Sequence, residues 1–405
     1  MQRCLFLLLV CCSFYSSQVL PAVGDRALGL GGGSGTAGDQ ARQQTPLWLS
    51  KLEDRHHDRD GATGSDLVER TRQAASRGDA AAQYALGVIH SRGLGTLRKS
   101  GTAVLWYRRA ALQGHRLAQH NLALCYARGT GVARDAQVAA RWYREAAQQG
   151  YAPAQYNLAN LYAKGEGVAH DFGRAAEWYQ HAARQDDRES QFNLGFLYAN
   201  GLGVAKNASR AVYWYRRAAE QGARQAQLNL GVMYGSGRGV PRDYSLAAHW
   251  YRAAAVQGSP RAQYNLGNLF ALGQGTSQDF VTAAKWYEKA AEQGDVDAQH
   301  NLGVIYLAGL GRVAADSDRG LHWLRRAAEH GSGRAQLHLG RVYRSGEHGV
   351  VADAVRAYAW LATAAVSGQD EAHRPRDEMA ALLTAPELQE AKRLAVELIS
   401  KYGER

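Results

Sequence analysis

The sequence is poor in cysteine and proline, and it has no long apolar run. Of its four cysteines, Cys4, Cys11 and Cys12 crowd the N-terminus, which leaves Cys125 alone in the rest of the chain. A single thiol excludes an intrachain disulfide there, even in an oxidising compartment. Seven prolines in 405 residues, against 45 glycines, suit helices joined by short turns better than extended sheet. The apolar stretch Cys4–Phe14 ("CLFLLLVCCSF") is too short to span a bilayer. Catalytic signatures are missing too: there is no H-E-x-x-H, G-x-S-x-G, P-loop or S-x-x-K, and "LGLGGGSG" fails the dinucleotide-binding pattern. The chain is therefore expected not to be an enzyme and to use no metal or cofactor.

What is present begins with export. Arg3 precedes the apolar stretch and Ala22-Val23-Gly24 follows it, the layout of a secretory signal peptide over residues 1–24. The expected location is periplasmic or secreted, or the ER lumen in a eukaryote, with no membrane span after cleavage. Residues 25–65 read as a flexible glycine-rich and polar linker. His56, His57, Asp58 and Asp60 lie in it as a solvated charge run and not as a metal site. The formal charge is +11, and residues 25–66 carry five basic and seven acidic groups, so the basic excess belongs to the folded part. Such a surface favours an acidic partner or an envelope polysaccharide. Export argues against nucleic acid.

From Leu67 the chain repeats. Trp106, Trp142, Trp178, Trp214, Trp250, Trp286, Trp323 and Trp360 recur at 36 residues, then at 37 twice, and glycine pairs such as Gly165/Gly167 keep step. A period of this length means a solenoid of helix pairs. In one unit Ala154, Leu158, Leu161 and Tyr162 make an apolar helical face, and the glycine pair ends it. Seven residues before each Trp stands Asp135, Asp171, Asn207, Asp243, Asp279, Asp316 or Asp353, an N-cap for the second helix. The first unit has Lys99 there. Asn207-Ala208-Ser209 matches a glycosylation sequon, but the cap register accounts for Asn207 without a sugar. The second helix stops near glycines such as Gly150 and Gly222, with Asp186 as the exception. The expected architecture is all-α: an α-solenoid of about eight 36-residue helix-turn-helix repeats (79–114, 115–150, 151–186, 187–222, 223–258, 259–294, 295–331, 332–368) within residues 66–370. Capping helices follow over 371–405, with Thr384 and Glu387 forming a capping box.

The unit "AQYNLGNLFALGQGTSQDFVTAAKWYEKAAEQG" (Ala262 to Gly294) resembles the Sel1-like repeat, a relative of the tetratricopeptide repeat. The resemblance implies a right-handed superhelix whose concave side takes up peptides or partner proteins, in an adaptor or scaffold. It leaves an envelope polysaccharide-associated assembly factor as an alternative, and a cell-wall or β-lactam-acting hydrolase as a remoter one.

Two sets of residues are candidates for function. Asn121, Asn157, Asn193, Asn229, Asn265 and Asn301 share one register, and an asparagine inside a helix needs a compensating bond. Repetition favours a ladder between neighbouring units over a ligand site. The helical face opposite Leu158 and Leu161 holds Tyr84, His120, Tyr156, Asn160, Phe192, Phe196, Tyr264, Asn268 and His300, with Arg128 and Lys164 near its rim. By resemblance to tetratricopeptide domains these residues line the partner-binding groove, where Asn160 and Asn268 would grip a peptide. The Trp stripe is expected in the core. Cys125 is expected there too, as a small hydrophobe in a slot filled elsewhere by residues such as Ile89 and Leu161.

Overall fold

A computed structural model describes residues 61–403, with the side chains of 66–403. The signal-like segment and the chain to residue 60, including the His56–Asp60 run, lie outside the described residues. Among the described residues there are nineteen α-helices and no strand. Helix α1 (Gly61–Ser76) begins inside the stretch expected to be linker. Eight pairs follow: α2 (Ala80–Arg92) with α3 (Ser100–Leu112), α4 (Arg116–Arg128) with α5 (Ala136–Gln148), α6 (Ala152–Lys164) with α7 (Phe172–Ala183), and α8 (Arg188–Asn200) with α9 (Ala208–Glu220). Then come α10 (Arg224–Ser236) with α11 (Tyr244–Val256), α12 (Pro260–Leu272) with α13 (Phe280–Glu292), α14 (Val296–Ala308) with α15 (Ser317–Glu329), and α16 (Gly333–Ser345) with α17 (Ala354–Val366). Helices α18 (His373–Leu382) and α19 (Ala385–Tyr402) close the chain, and both pack on α17. Contacts divide the protein into two compact units, one ending at Ala226 and the other resuming at Gln227.

The local signals act as the sequence suggests. The side chains of Asp135, Asp171, Asn207, Asp243, Asp279, Asp316 and Asp353 accept N-cap bonds from their helices, whereas Lys99 makes none. Each cap residue also returns its backbone N–H to the last turn of the first helix, as from Asp171 to the Tyr162 carbonyl at 2.9 Å. Asp186 stands where other units have glycine and adopts φ 63. The capping box of Thr384 and Glu387 is formed.

Stacking has two recurrent devices. The second glycine of each turn lies against the preceding unit's second helix. A Cβ on Gly203 (φ +64) would fall 2.1 Å from the Phe172 carbonyl carbon, and one on Gly167 would fall 2.2 Å from that of Ala136. The other device is polar. Gln119, Gln155, Gln191, Gln263 and Gln299 are buried, and each donates to an alanine carbonyl eight residues earlier, at the end of the preceding second helix, as Gln155 does to Ala147 at 3.0 Å. Each side-chain oxygen in turn accepts from the residue after its own unit's second helix, as Gln155 does from Gln185 at 2.8 Å. One amide thus bonds a helix-end carbonyl of the preceding unit and a side chain of its own.

The core stripe is the residue after each tryptophan. Tyr107, Tyr143, Tyr179, Tyr215, Tyr251, Tyr287, Leu324 and Leu361 are buried, while Trp106, Trp142, Trp178, Trp250 and Trp286 are only half-buried. The expected tryptophan core holds in part: Trp214, Trp323 and Trp360 are buried, whereas the other five indoles lie at its margin, with Arg109 over Trp106 and Lys289 over Trp286. The buried side chain fits because a small residue faces it, glycine in six units and Ala123 or Ala159 in the other two. A Cβ on Gly267 would meet the Tyr287 ring at 2.7 Å.

Gly203→Ala combines a left-handed backbone with a backbone clash and should cost about 2–4 kcal/mol. Gly150→Ala, at φ +79 with nothing within 4 Å of its Cβ, should cost about 1 kcal/mol. Urea denaturation of the two variants checks this, and equal costs would deny that close stacking holds the turn.

Candidate functional site

The first helices are covered on nearly every side. In α6 only Asn157, Asn160 and Lys164 reach solvent, and in α4 Arg116 and Leu117 of the first turn with Asn121, Leu124, Cys125, Ala127 and Arg128 do so. The expected groove aromatics are therefore elsewhere than expected. Tyr84, His120, Tyr156, Phe192, Phe196, Tyr264 and His300 are all buried, the last two at 0% and 1% exposure. They pack on neighbouring rings, Tyr156 on Tyr179 and Phe192 on Tyr215. Asn268 is buried as well. It accepts from the Tyr287 hydroxyl at 2.6 Å, and Asn160 accepts from Tyr179 at 2.5 Å. These two asparagines hold their own unit's core tyrosine and do not present a grip for a peptide. Lys164 stays partly exposed, 4.0 Å from Glu166.

The repeated asparagine also faces tyrosine. Asn121, Asn193, Asn265 and Asn301 stand beside the phenols of Tyr107, Tyr179, Tyr251 and Tyr287 from the preceding unit. Asn301 also donates to Asn268 at 3.3 Å. The continuous ladder, however, is made by the glutamines and not by these residues.

Titratable groups in this layer are tuned for burial and not for chemistry. Burial pushes the Cys125 thiol up to about 11, against a smaller pull from Arg128. Cys125 itself is half-buried, less enclosed than the core position expected for it. Among the described residues no three His, Cys, Asp or Glu side chains converge as a metal site, and no helix is long and apolar enough to cross a membrane.

Charge is distributed very unevenly. The described residues to Ala226 carry 22 basic and 12 acidic side chains, whereas those from Gln227 to Gly403 carry 19 and 18. In the first unit part of the excess gathers on tyrosine hydroxyls in the last turn of the first helices. Arg108 donates to Tyr126, and Arg210 to Tyr198 at 3.2 Å. Tyr162 receives both Arg144 at 3.2 Å and Arg174 at 3.4 Å. These hydrogen bonds hold its phenol below the usual range, outweighing the rise from its partial burial. The sequence reading missed this row, although an arginine two residues after Trp recurs at Arg108, Arg144, Arg216, Arg252 and Arg325.

The repeat architecture now has a counterpart among known proteins. The Sel1 repeat family matches residues 80–115, 116–151, 152–187, 188–222, 224–259, 260–295, 296–332 and 333–368. The chain belongs to the Sel1-repeat family. It is similar to a Sel1 repeat protein from Oxalobacter formigenes at 33% identity, covering 77% of this chain and 89% of that one, with a TM-score of 0.57. It is also similar, at 30% identity over 88% of this chain and 95% of that one, to a protective antigen of uropathogenic Escherichia coli strains displaying an SLR fold, with a TM-score of 0.46. No curated protein matches the chain. Sel1 repeats are generally protein-interaction modules built on a scaffold fold, and this Sel1-repeat protein shares that fold.

The buried imidazoles make stability pH-dependent. Burial lowers His120 to about 3 and His300 to about 4, with Arg128 and Arg334 adding to the fall. His338 falls to about 3, from burial, then His300, Arg341 and His348. All three bind protons more weakly folded than unfolded, so their stability is full above about pH 6.5 and drains as pH falls toward 4. Asp295, pushed up to about 6 by burial, works in the opposite sense between about pH 4 and 6, and Asp187, also raised by burial, adds to it. Urea midpoints should therefore drop between pH 7 and pH 5, by about 2 kcal/mol per histidine. His300→Phe, which places the residue type of Phe192 in the same register, should remove part of that drop; an unchanged drop would contradict the assignment.

Proposed function

We propose that this Sel1-repeat protein is an exported, non-catalytic scaffold that holds a partner protein. The observation that supports it most is where the repeated residues go. The caps, turn glycines, glutamines and core tyrosines of every unit are consumed by stacking, while the exposed positions differ from unit to unit. The solvent-reaching positions that do vary, Leu124 and Arg128 in α4 with Lys164 in α6, are where a partner would be chosen. The buried aromatics supply the rigid wall behind them and do not contact the partner. Export rests on the signal-like residues 1–24.

Affinity purification of the full chain from its native envelope, followed by quantitative mass spectrometry, tests the reading. Arg128→Glu with Lys164→Glu should lose the partner about tenfold or more while far-ultraviolet circular dichroism stays unchanged. Arg141→Glu, on the exposed side of α5, should retain it. Equal recovery by all three proteins would reject the inner-face positions as the site, and a reporter fused after residue 24 that stays cytoplasmic would reject export.

A further inference from the structure

The row of arginines on tyrosine hydroxyls in the first unit is chemically unfinished. A phenol has two acceptor lone pairs and one proton to donate. At Tyr162 two guanidiniums approach the same oxygen, from α5 and α7, and no described acceptor takes the proton. Two cations converging on one atom repel unless an anion joins them. Of Arg108, Arg144, Arg174 and Arg210, only Arg174 has a carboxylate within 4 Å among the described residues. That carboxylate is Asp171, at 3.5 Å, and it is already occupied as the N-cap of α7.

The second unit fills this register in both ways: Arg325 donates to the Tyr343 hydroxyl at 2.6 Å, as in the first unit, while a carboxylate stands in it beside Tyr306. Glu288 stands 18 residues before Tyr306, as Arg144 stands before Tyr162. The Glu288 carboxylate accepts from Arg319 at 2.9 Å, and Arg319 lies 4.0 Å over the Tyr306 ring. A carboxylate on a flexible side chain therefore sits beside the tyrosine and its arginine. In the first unit the equivalent positions are Arg108, Arg144 and Gln180, so the chain supplies no carboxylate of its own.

We infer that the Tyr126, Tyr162 and Tyr198 row receives the glutamate and aspartate side chains of an acidic segment of the partner protein. Planar guanidinium forks match carboxylates with two parallel bonds, and the phenol proton is a third donor at Tyr162. A flexible acidic side chain meets these arginines as Glu288 meets Arg319. The tyrosine rings are buried, Tyr162 at 4% exposure, so no aromatic face is open for nucleobases to stack on. This inference rests on the scaffold reading and names the chemistry of the partner, on a row of residues distinct from Arg128 and Lys164.

Fluorescence anisotropy of a labelled polyglutamate peptide with the full chain tests it, with a polyglutamine peptide of equal length as the neutral control. Dextran sulfate, oligothymidine and phosphatidylserine vesicles serve as competitors. Arg144→Gln with Arg174→Gln should weaken polyglutamate about tenfold, and Tyr162→Phe by a few-fold, with helicity retained. Arg141→Gln with Arg184→Gln removes the same charge away from the tyrosines and should weaken it about twofold at most. Equal losses in the two double variants would reduce the row to bulk charge and overturn the inference. So would displacement of the peptide by dextran sulfate, DNA or vesicles at far lower concentration than unlabelled polyglutamate. If the row variants bind polyglutamate normally while Arg128→Glu with Lys164→Glu still loses the native partner, this inference falls and the scaffold reading stands.

Discussion

The buried glutamine amide between successive units is the interaction on which the rest depends. A solenoid of short helices ends a helix every eighteen residues or so, and each end leaves carbonyls without partners. Glycine turns free the backbone to reverse, but they do not satisfy those groups in the interior. Gln155 ties two units together, donating to the Ala147 carbonyl behind it and accepting from the Gln185 side chain ahead. The Ala147 carbonyl also accepts from the Gly150 N–H at 3.0 Å, so an apolar side chain at 155 would remove the two bonds that join the units, at about 1 kcal/mol each. The relay begins at Gln83, which reaches back to Ala75 of α1, and changes character at its far end, where His330 replaces glutamine and Gln336 also donates to the Tyr402 carbonyl of α19. Helix α19 thus takes a bond from the last glutamine of the relay.

An interior built this way is uniform, and uniformity leaves the choice of partner to the outside. Buried positions hardly vary in type: alanine pairs, a tyrosine or leucine, a glycine facing it, a glutamine. Exposed positions vary in the one property that acts at a distance, which is charge. Nearly all the net positive charge of the described residues belongs to the unit ending at Ala226. Its arginines stand on tyrosine hydroxyls, which fixes their direction without neutralising them.

Much of this was legible in the sequence, and the misses share a cause. The Trp period, the aspartate caps and the glycine stops are local signals, and local backbone chemistry decides them. Burial is decided by neighbours. A helical wheel assumes one covered and one open face, but α6 is enclosed all round except at Asn157, Asn160 and Lys164. The face opposite Leu158 therefore turned out to be a second packing surface, and Tyr156 and Phe192 went inside. In the Trp-Tyr pair the bulkier ring looked like core, yet only the tyrosine points at the glycine that makes room for it. Glutamine was passed over because it is usually a surface residue, although its period was as regular as that of asparagine.

The most direct measurement is a double-mutant cycle on Gln155 and Gln185, each changed to leucine singly and together, with stability read by urea denaturation. A shared buried bond predicts that the two changes couple by about 1 kcal/mol or more, the double variant losing less than the sum of the singles. Strict additivity, or singles that cost nothing, would contradict the claim that this relay joins one unit to the next.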